Sequence, residues 1–206
     1  DSRLAARYLR KPFDVEGKVK NARLYISGLG LYECYINGKR VGESVLAPTA
    51  TDYSTNVPYN TFDVSEFIKD KQNAIGATLG NGRFFAMRLG DPSAGLLGSL
   101  RQFGFPKLLA QLEIEYENGE RQVVVTDTTW RLTTDGPIVA NNEFDGEEYD
   151  ASKELGKWSE AGYDDSAWMN ARSVGAPEGA LHAQRNPNIR VMEEIDPVAI
   201  SQLNDS

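Results

Sequence analysis

The densest group of side chains that could carry out chemistry is an acidic stretch, NNEFDGEEYDA, at residues 141–151. A pair of carboxylates can hydrolyse a glycosidic bond, and carboxylate oxygens are also suitable calcium ligands. The spacing does not fit an EF-hand loop, and the carboxylates of a glycosidase generally come from distant positions in the chain. A solvated loop and a cation or ligand contact therefore both stay open, and catalysis is disfavoured. The carboxylates belong to Glu143, Asp145, Glu147, Glu148 and Asp150.

A second stretch, TDYSTNVPY at residues 51–59, has the composition of a sugar-binding loop. Sugar sites stack an aromatic ring on the pyranose and direct Asp, Asn or Arg side chains at its hydroxyls. Asp52, Tyr53 and Asn56 offer such groups. The same composition is also normal for a surface loop that binds nothing.

A third stretch, LGNGRFF at residues 79–85, could present Asn81 and Arg83 to a ligand. It lacks the G-x-x-x-x-G-K-[ST] pattern of a phosphate-binding loop and opens no evident helix, so phosphate binding is rejected. A bulge or tight turn without a ligand is the alternative interpretation.

Nucleophilic and metal chemistry have few candidate residues. Cys34 is the only cysteine, so an internal disulfide is impossible and a buried thiol is expected. His182 is the only histidine, which rules out a multi-histidine metal site. No G-x-S-x-G motif accompanies it, so we expect a surface or packing role for His182.

The elements that must position these groups are short β-strands. The clearest is KLLAQLEIEYENG, in which alternate residues are apolar, as in a half-buried antiparallel strand. Asn37-Gly38 and Asn118-Gly119 each predict a two-residue hairpin turn between strands. Many short strands with turns between them predict an all-β jelly roll or β-sandwich, with one or two short helical turns. We expect a long loop at 86–106, a sandwich domain at 1–185 and an exit segment at 186–206.

Composition excludes some partners. The net charge of −8 and the pI of about 4.8 argue against nucleic-acid binding, which needs clustered Lys and Arg. The apolar runs are too short for a transmembrane helix, so no membrane partner is expected. The first residues lack a signal-peptide pattern. The compartment stays open, with a periplasmic or extracellular location favoured.

Several stretches in order resemble one family over roughly residues 5–200. They are ARLYISGLGLYECYINGKRVGESVLAPTATDY, YNTFDVSEFIKDKQNAIGATLGNGRF, LLAQLEIEYENGERQVVVTDTTWRLTTDGPI and FDGEEYDA. Together they are similar to the N-terminal β-sandwich domain of bacterial α-L-rhamnosidases of glycoside hydrolase family 78. The tail LHAQRNPNIRVMEEIDPVAI resembles the segment by which that domain leads into the rest of the enzyme.

The resemblance implies a galactose-binding-like jelly roll attached to an (α/α)6 barrel that hydrolyses terminal α-L-rhamnosides with inversion. The acid and base belong to that barrel, so no catalytic residue is expected in this chain. Some domains of this kind bind L-rhamnose through a calcium ion, whereas others support the barrel.

Two departures from the family pattern bear on sugar binding. Gly80-Asn81-Gly82-Arg83-Phe84 stands where the family often has Gly-Asp-Gly-Trp-Tyr, and Thr49-Ala50-Thr51 lacks the frequent Gly-Trp. Both changes weaken the case for stacking on a sugar ring. The candidate ligand-binding residues are Asp52, Tyr53, Asn81, Arg83 and Glu147.

Two functional hypotheses follow. The first is a non-catalytic N-terminal domain that supports its own catalytic barrel, which a sizeable apolar surface patch would favour. The alternative is a calcium-dependent L-rhamnose-binding module that targets the enzyme to rhamnose-containing glycans. A free-standing hydrolase is disfavoured, because the sequence suggests no pair of opposed carboxylates in one cleft.

Overall fold

The computed structural model describes residues 3–85, 103–199 and 201, which contain thirteen strands and two short 3-10 helical turns. The strands are β1 (Arg7–Val15), β2 (Val19–Leu29), β3 (Leu31–Ile36), β4 (Lys39–Arg40), β5 (Asn56–Asp63), β6 (Lys71–Gly80), β7 (Lys107–Tyr116), β8 (Arg121–Val125), β9 (Arg131–Thr133), β10 (Ile138–Asn142), β11 (Gly146–Tyr149), β12 (Met169–Asn170) and β13 (Ala180–Ala183). The helical turns are Ser65–Phe67 and Ala151–Lys153. This confirms the all-β prediction. The loop predicted at 86–106 lies outside the described residues except for its last four positions.

Two main sheets face each other. One has the strand order β12-β9-β1-β6-β3-β4, the other has the order β13-β5-β2-β7-β8, and β10 pairs with β11 alone. Pairing within the main sheets is antiparallel except between β13 and β5. No helix in the described part of the chain is long and apolar enough to span a membrane.

The core lies between the two sheets and follows from the alternation along the strands. Every second residue of β2 and of β7 points inward, and these side chains meet those of β3 and β6. Burial of each large aliphatic side chain stabilises the fold by about 1.5–3 kcal/mol. The central members of this core are Leu24, Ile26, Cys34, Ile36, Ile75, Leu112 and Ile114.

The hairpin between β3 and β4 has the predicted turn. Asn37 and Gly38 have φ values of +53° and +82°, as a type I′ turn requires at both central positions. The Asn37 side chain is buried; its Nδ2 donates to Asn73 Oδ1 at 2.7 Å, and its Oδ1 accepts from the Ala74 amide at 3.0 Å. The Asn37 side chain therefore ties the turn to β6, while Gly38 stays exposed.

The hairpin between β7 and β8 is present, but its turn is not the predicted two-residue type. The Tyr116 amide donates to the Glu120 carbonyl at 2.9 Å, and the Gly119 amide donates to the Tyr116 carbonyl at 3.0 Å. Gly119 takes the left-handed conformation, with φ of +86°. This is a three-residue loop with Gly at the left-handed position.

The outer face of the six-stranded sheet is covered by the chain itself. Trp158 packs edge-on against Tyr8 and Tyr35, with ring centroids 5.5 and 5.7 Å away. Trp168 and Tyr163 extend this cluster beyond Trp158. The aromatic residues after position 155 therefore form a lid over one side of the sandwich, called here the aromatic lid (Trp158, Tyr163 and Trp168).

The aromatic lid is held by Arg10 of β1, whose guanidinium is buried beneath it. Arg10 is 1% exposed; its Nε donates to the Trp158 carbonyl at 2.8 Å and its Nη2 to the Glu160 carbonyl at 3.0 Å. Its Nη1 also pairs with the carboxylate of Asp165. A buried charge is tolerated when it is paired and hydrogen-bonded in this way.

We expect Arg10→Met to lower the free energy of unfolding by about 3 kcal/mol, because it leaves Asp165 and buried carbonyls without their donor. Urea unfolding followed by tryptophan fluorescence measures the change. Lys11→Met is the matched control, since the exposed pair of Lys11 with Asp127 at 2.8 Å contributes less than about 1 kcal/mol. Equal losses in the two variants would show that Arg10 does not hold the aromatic lid.

Candidate functional site

The five candidate ligand-binding residues lie on three segments that meet beyond the end of β6. Asp52 and Tyr53 precede β5, Asn81 and Arg83 follow β6, and Glu147 lies in β11. The rings of Tyr53 and Phe84 lie 5.3 Å apart, which joins the first two segments. Hydrogen bonds between Asn81 and Asn141 of β10 join the second and third segments.

Asn81 is completely buried and uses its side chain to tie segments together. Its Oδ1 accepts from Arg7 Nη1 at 2.6 Å, and its Nδ2 donates to the carbonyls of Leu4 at 3.0 Å and Asn141 at 2.6 Å. Its amide donates to Asn141 Oδ1 at 2.7 Å. In this arrangement the side chain holds the start of the chain and β10 against the end of β6 and is not presented to a ligand.

Tyr53 is 1% exposed and belongs to a small apolar cluster. Its ring contacts Phe84 and Phe103 edge-on, with centroids 5.3 and 5.2 Å away. Burial is the main reason that the pKa of Tyr53 is raised to about 12. The ring therefore offers no open face for stacking on a sugar.

Asp52 is exposed and forms a turn at the start of β5. Its Oδ1 accepts from the Ser54 amide at 3.1 Å and from the Ser54 hydroxyl at 2.6 Å, and its carbonyl accepts from the Asn56 amide at 2.9 Å. Asp favours such positions because its short side chain can bond to the backbone two residues later. The carboxylate thus has a local structural role.

Arg83 and Glu147 are the candidates whose side chains are accessible and do not take part in the hydrogen bonds and ring contacts described above for Asn81, Tyr53 and Asp52. Arg83 Nε lies 3.3 Å from Glu143 Oε2, and its guanidinium carbon lies 5.7 Å from the centre of the Phe144 ring. Phe144 is 38% exposed, so an aromatic ring is present near position 83 although the sequence has Arg there. The type of residue at position 144 did not point to this role, and the available signal in the sequence was its place inside the acidic stretch.

Calcium, the cation that the resemblance implies, fits these residues poorly. Among the residues that the structure describes, no three His, Cys, Asp or Glu side chains are grouped so that they could hold a metal ion. Calcium takes about six to eight oxygen ligands. The Asn81 oxygen instead faces the Arg7 guanidinium, whose positive charge opposes a second cation. The ligand-binding roles of Asp52, Tyr53, Asn81, Arg83 and Glu147 therefore stay predictions.

A different feature appears on the outer face of the five-stranded sheet, which the sequence analysis did not locate. Two hollows of about 290 Å³ each adjoin there and share Ser27, Leu109 and Leu181 in their linings. Leu109 and Leu181 are 49% and 50% exposed, although both are large aliphatic residues. We call this surface the outer trough; its main lining residues are Tyr25, Ser27, Tyr59, Leu109, Val125 and Leu181.

The outer trough arises from strands that carry apolar residues on both faces. In β7, Leu109 points outward next to the inward Ala110, and in β8 Val123 and Val125 point outward around Val124. Tyr25 and Tyr59 line the opposite side, with ring centroids 6.1 Å apart. An apolar surface of this kind is typical of an interface, because isolated apolar residues do not usually form a continuous groove. The sequence signal was the uninterrupted VVV of β8.

The sequence profile described as the Alpha-L-rhamnosidase N-terminal domain matches residues 17–193. An alpha-L-rhamnosidase from Formosa agariphila is 34% identical over 201 residues, covering 98% of this chain and 21% of the relative. One from Streptomyces avermitilis is 38% identical over 194 residues, covering 93% of this chain and 18% of the relative. The chain thus spans about a fifth of the length of these relatives.

Solved structures agree with the sequence comparison. The alpha-L-rhamnosidase from Dictyoglumus thermophilum is 42% identical, with a TM-score of 0.83 over 96% of this chain and 21% of that one. The Streptomyces avermitilis enzyme, solved in complex with L-rhamnose, also has a TM-score of 0.83, over 93% of this chain and 18% of that one. A lectin from Pleurotus ostreatus, 14% identical with a TM-score of 0.54 over 86% of this chain and 40% of the lectin, shares the fold alone.

We expect Asn81→Ala to lower the melting temperature by about 5–10 °C, because it removes an acceptor from Arg7 and a buried donor from the carbonyls of Leu4 and Asn141. Differential scanning calorimetry of the chain measures the shift. Asn118→Ala is the matched control, since Asn118 is exposed and its side chain bonds to Glu120 within its own hairpin turn. A melting temperature for Asn81→Ala within about 1 °C of the control would contradict the structural role of Asn81.

Proposed function

The chain belongs to the alpha-L-rhamnosidase N-terminal domain family, and from that premise we propose that it is a non-catalytic domain that supports the catalytic barrel of an alpha-L-rhamnosidase. The coverage of the relatives supports this proposal, because the chain corresponds to only 21% and 18% of two of them. A helical barrel cannot be built from the described residues, which are strands, turns and irregular segments.

The observation that carries the supporting role is the outer trough. The two outer faces of the sandwich differ: the aromatic lid covers the six-stranded sheet, whereas Leu109 and Leu181 on the other sheet stay about half exposed, with residues 174–177 bordering one of the two hollows. Because both side chains are about half exposed, burying them against another domain would contribute about 1.5–3 kcal/mol together before the costs of ordering. A sugar would use the same surface less well, because most of its exposed surface is apolar, although Gln111, Glu113 and Thr126 also border it.

The occupant that we assign to the outer trough is the catalytic region of the same polypeptide. Leu181, which lines both hollows, lies in β13, only two residues before that strand ends at Ala183. The relatives have most of their length outside the matched region. A region tethered close to the trough has a high effective concentration, so a modest apolar interface is enough to hold it.

We expect Leu109→Ser or Leu181→Ser to lower the unfolding free energy of this domain by about 1–1.5 kcal/mol in the full-length enzyme, since about half of each side chain remains to be buried. The physical reason is the loss of apolar area that would be buried at the interface. Scanning calorimetry of the full-length enzyme would then show a separate, earlier transition for the N-terminal domain.

In the chain alone, the same variants should change stability by no more than about 0.5 kcal/mol, because both side chains are exposed there. Met169→Ser is the matched control, since Met169 is 62% exposed on the other sheet. The supporting role through the outer trough is refuted if the trough variants and Met169→Ser behave alike in the full-length enzyme.

A second candidate function is an L-rhamnose-binding module that targets the enzyme to rhamnose-containing glycans. It is supported by the Streptomyces avermitilis relative, whose structure was solved with L-rhamnose. In this chain the accessible group formed by Arg83, Glu143 and Phe144 combines a cation, a carboxylate and an aromatic ring. Such groups can bind sugar hydroxyls and an apolar sugar face.

For this second function we expect saturable binding of L-rhamnose with a Kd on the order of 1 mM, because one small sugar offers few contacts. Isothermal titration calorimetry, with calcium and again with a chelator, measures the binding and its calcium dependence. Arg83→Ala should abolish the signal, whereas Arg190→Ala, which removes an exposed Arg next to Glu43, should not. If the folded chain gives no binding heat with calcium or with chelator, the rhamnose-binding function is refuted and only the supporting role remains.

A further inference from the structure

The segment that follows β13 exposes more apolar surface than an ordinary linker. Residues 184–199 form neither helix nor strand, and all of them except Gln184 are exposed. Met192 is 90% exposed, Ile195 82% and Val198 105%. Large aliphatic side chains at this level of exposure indicate a surface that is covered in the complete protein.

Four of the large apolar residues of this segment recur at every third position, and Val191 is the large apolar residue that lies off this spacing. Ile189, Met192, Ile195 and Val198 are separated by three residues each. A polyproline II helix has three residues per turn, so it places such residues on one side. A strand would need a spacing of two, and Pro197 is unsuited to the interior of a helix. We call these four residues the exit stripe.

Three of the six residues between the members of the exit stripe are acidic, and all three follow Met192. Glu193, Glu194 and Asp196 lie between Met192 and Val198, and their carboxylates would point away from the apolar side. A surface that receives this part of the stripe would be favoured if basic groups lay beside its apolar pockets. Charge of one sign next to apolar anchors gives both affinity and register.

The start of the exit stripe is fixed to the sandwich. The Val45 amide donates to the Ile189 carbonyl at 2.9 Å, and Arg190 Nη1 lies 3.8 Å from Glu43 Oε2. These contacts set where the stripe begins relative to the loop after β4. The following side chains extend into solvent from a defined point, and so they are presented in one direction.

We infer that the exit stripe docks, in polyproline II conformation, into an apolar groove with a basic rim on the region that follows this domain in the rhamnosidase polypeptide. This inference rests on the proposed supporting function. The relatives indicate what the stripe would contact. The chain covers 21% and 18% of two of them, so most of their polypeptide lies outside this domain. A contact next to the connection is formed at high effective concentration.

The test is hydrogen–deuterium exchange of peptides spanning residues 189–198 in the full-length enzyme. We expect the segment to be protected there, and Met192→Ser combined with Ile195→Ser to raise its exchange at least about tenfold. Val191→Ser is the matched control: Val191 is apolar and 61% exposed in the same segment but lies off the stripe. It should leave the exchange unchanged.

Two outcomes overturn the inference. One is exchange of the unmodified segment as fast as that of an unstructured peptide. The other is greater sensitivity to Val191→Ser than to Met192→Ser, which would indicate pairing as a β-strand with a spacing of two. The Leu109→Ser variant keeps the two proposals apart: if it still uncouples the domain while the stripe is unprotected, only the exit stripe fails.

Discussion

The buried guanidinium of Arg10 is the constraint on which the shape of this domain depends. Arg10 lies in β1, inside the six-stranded sheet, and its side chain points to the outer face, where an unpaired charge would be very unfavourable. It is satisfied by the carbonyls of Trp158 and Glu160 and by the Asp165 carboxylate. The segment that supplies these groups must therefore fold back over the sheet, and it brings Trp158 and Trp168 with it.

This constraint makes the two sides of the sandwich unequal. The aromatic lid buries the outer face of the six-stranded sheet within the domain. The five-stranded sheet instead has Leu109 and Leu181 at its surface. The ends of the strands differ again: beyond β6, Asn81 closes the structure with hydrogen bonds and leaves Arg83 at the surface. Apolar docking and polar recognition would thus use different parts of the molecule and need not compete.

The sequence predicted the strands well because alternation and turn residues act locally. The inward Ala110, Leu112 and Ile114 and the Asn37 turn are examples. It did not reveal that Asn81 is buried, because its partners are carbonyls at Leu4 and Asn141, far away in the chain. For the same reason, Tyr53 and Asn81 were predicted to contact a sugar from their residue types, whereas in the structure both side chains are buried and pack against other parts of the domain. The outer trough forms because the sheet places residues of β5 and β13 on the same face as Leu109 of β7. The order of strands in a sheet is set by contacts between distant parts of the chain, so the local sequence pattern did not predict it.

The outer trough and the exit stripe together could fix the orientation of this domain relative to the rest of the polypeptide, which neither contact could do alone. A domain joined by one flexible connection can rotate about it, and a single apolar patch still permits sliding. The trough lies on the five-stranded sheet, whereas the stripe begins beside Val45, after β4 of the other sheet. Contacts at two separated places fix the orientation of the domain. The second contact costs little entropy once the first has formed, because it is then intramolecular. If both proposed contacts form, the surface around Arg83 would face a constant direction relative to the rest of the polypeptide, which is the geometric condition for the two proposed functions to be combined in one domain.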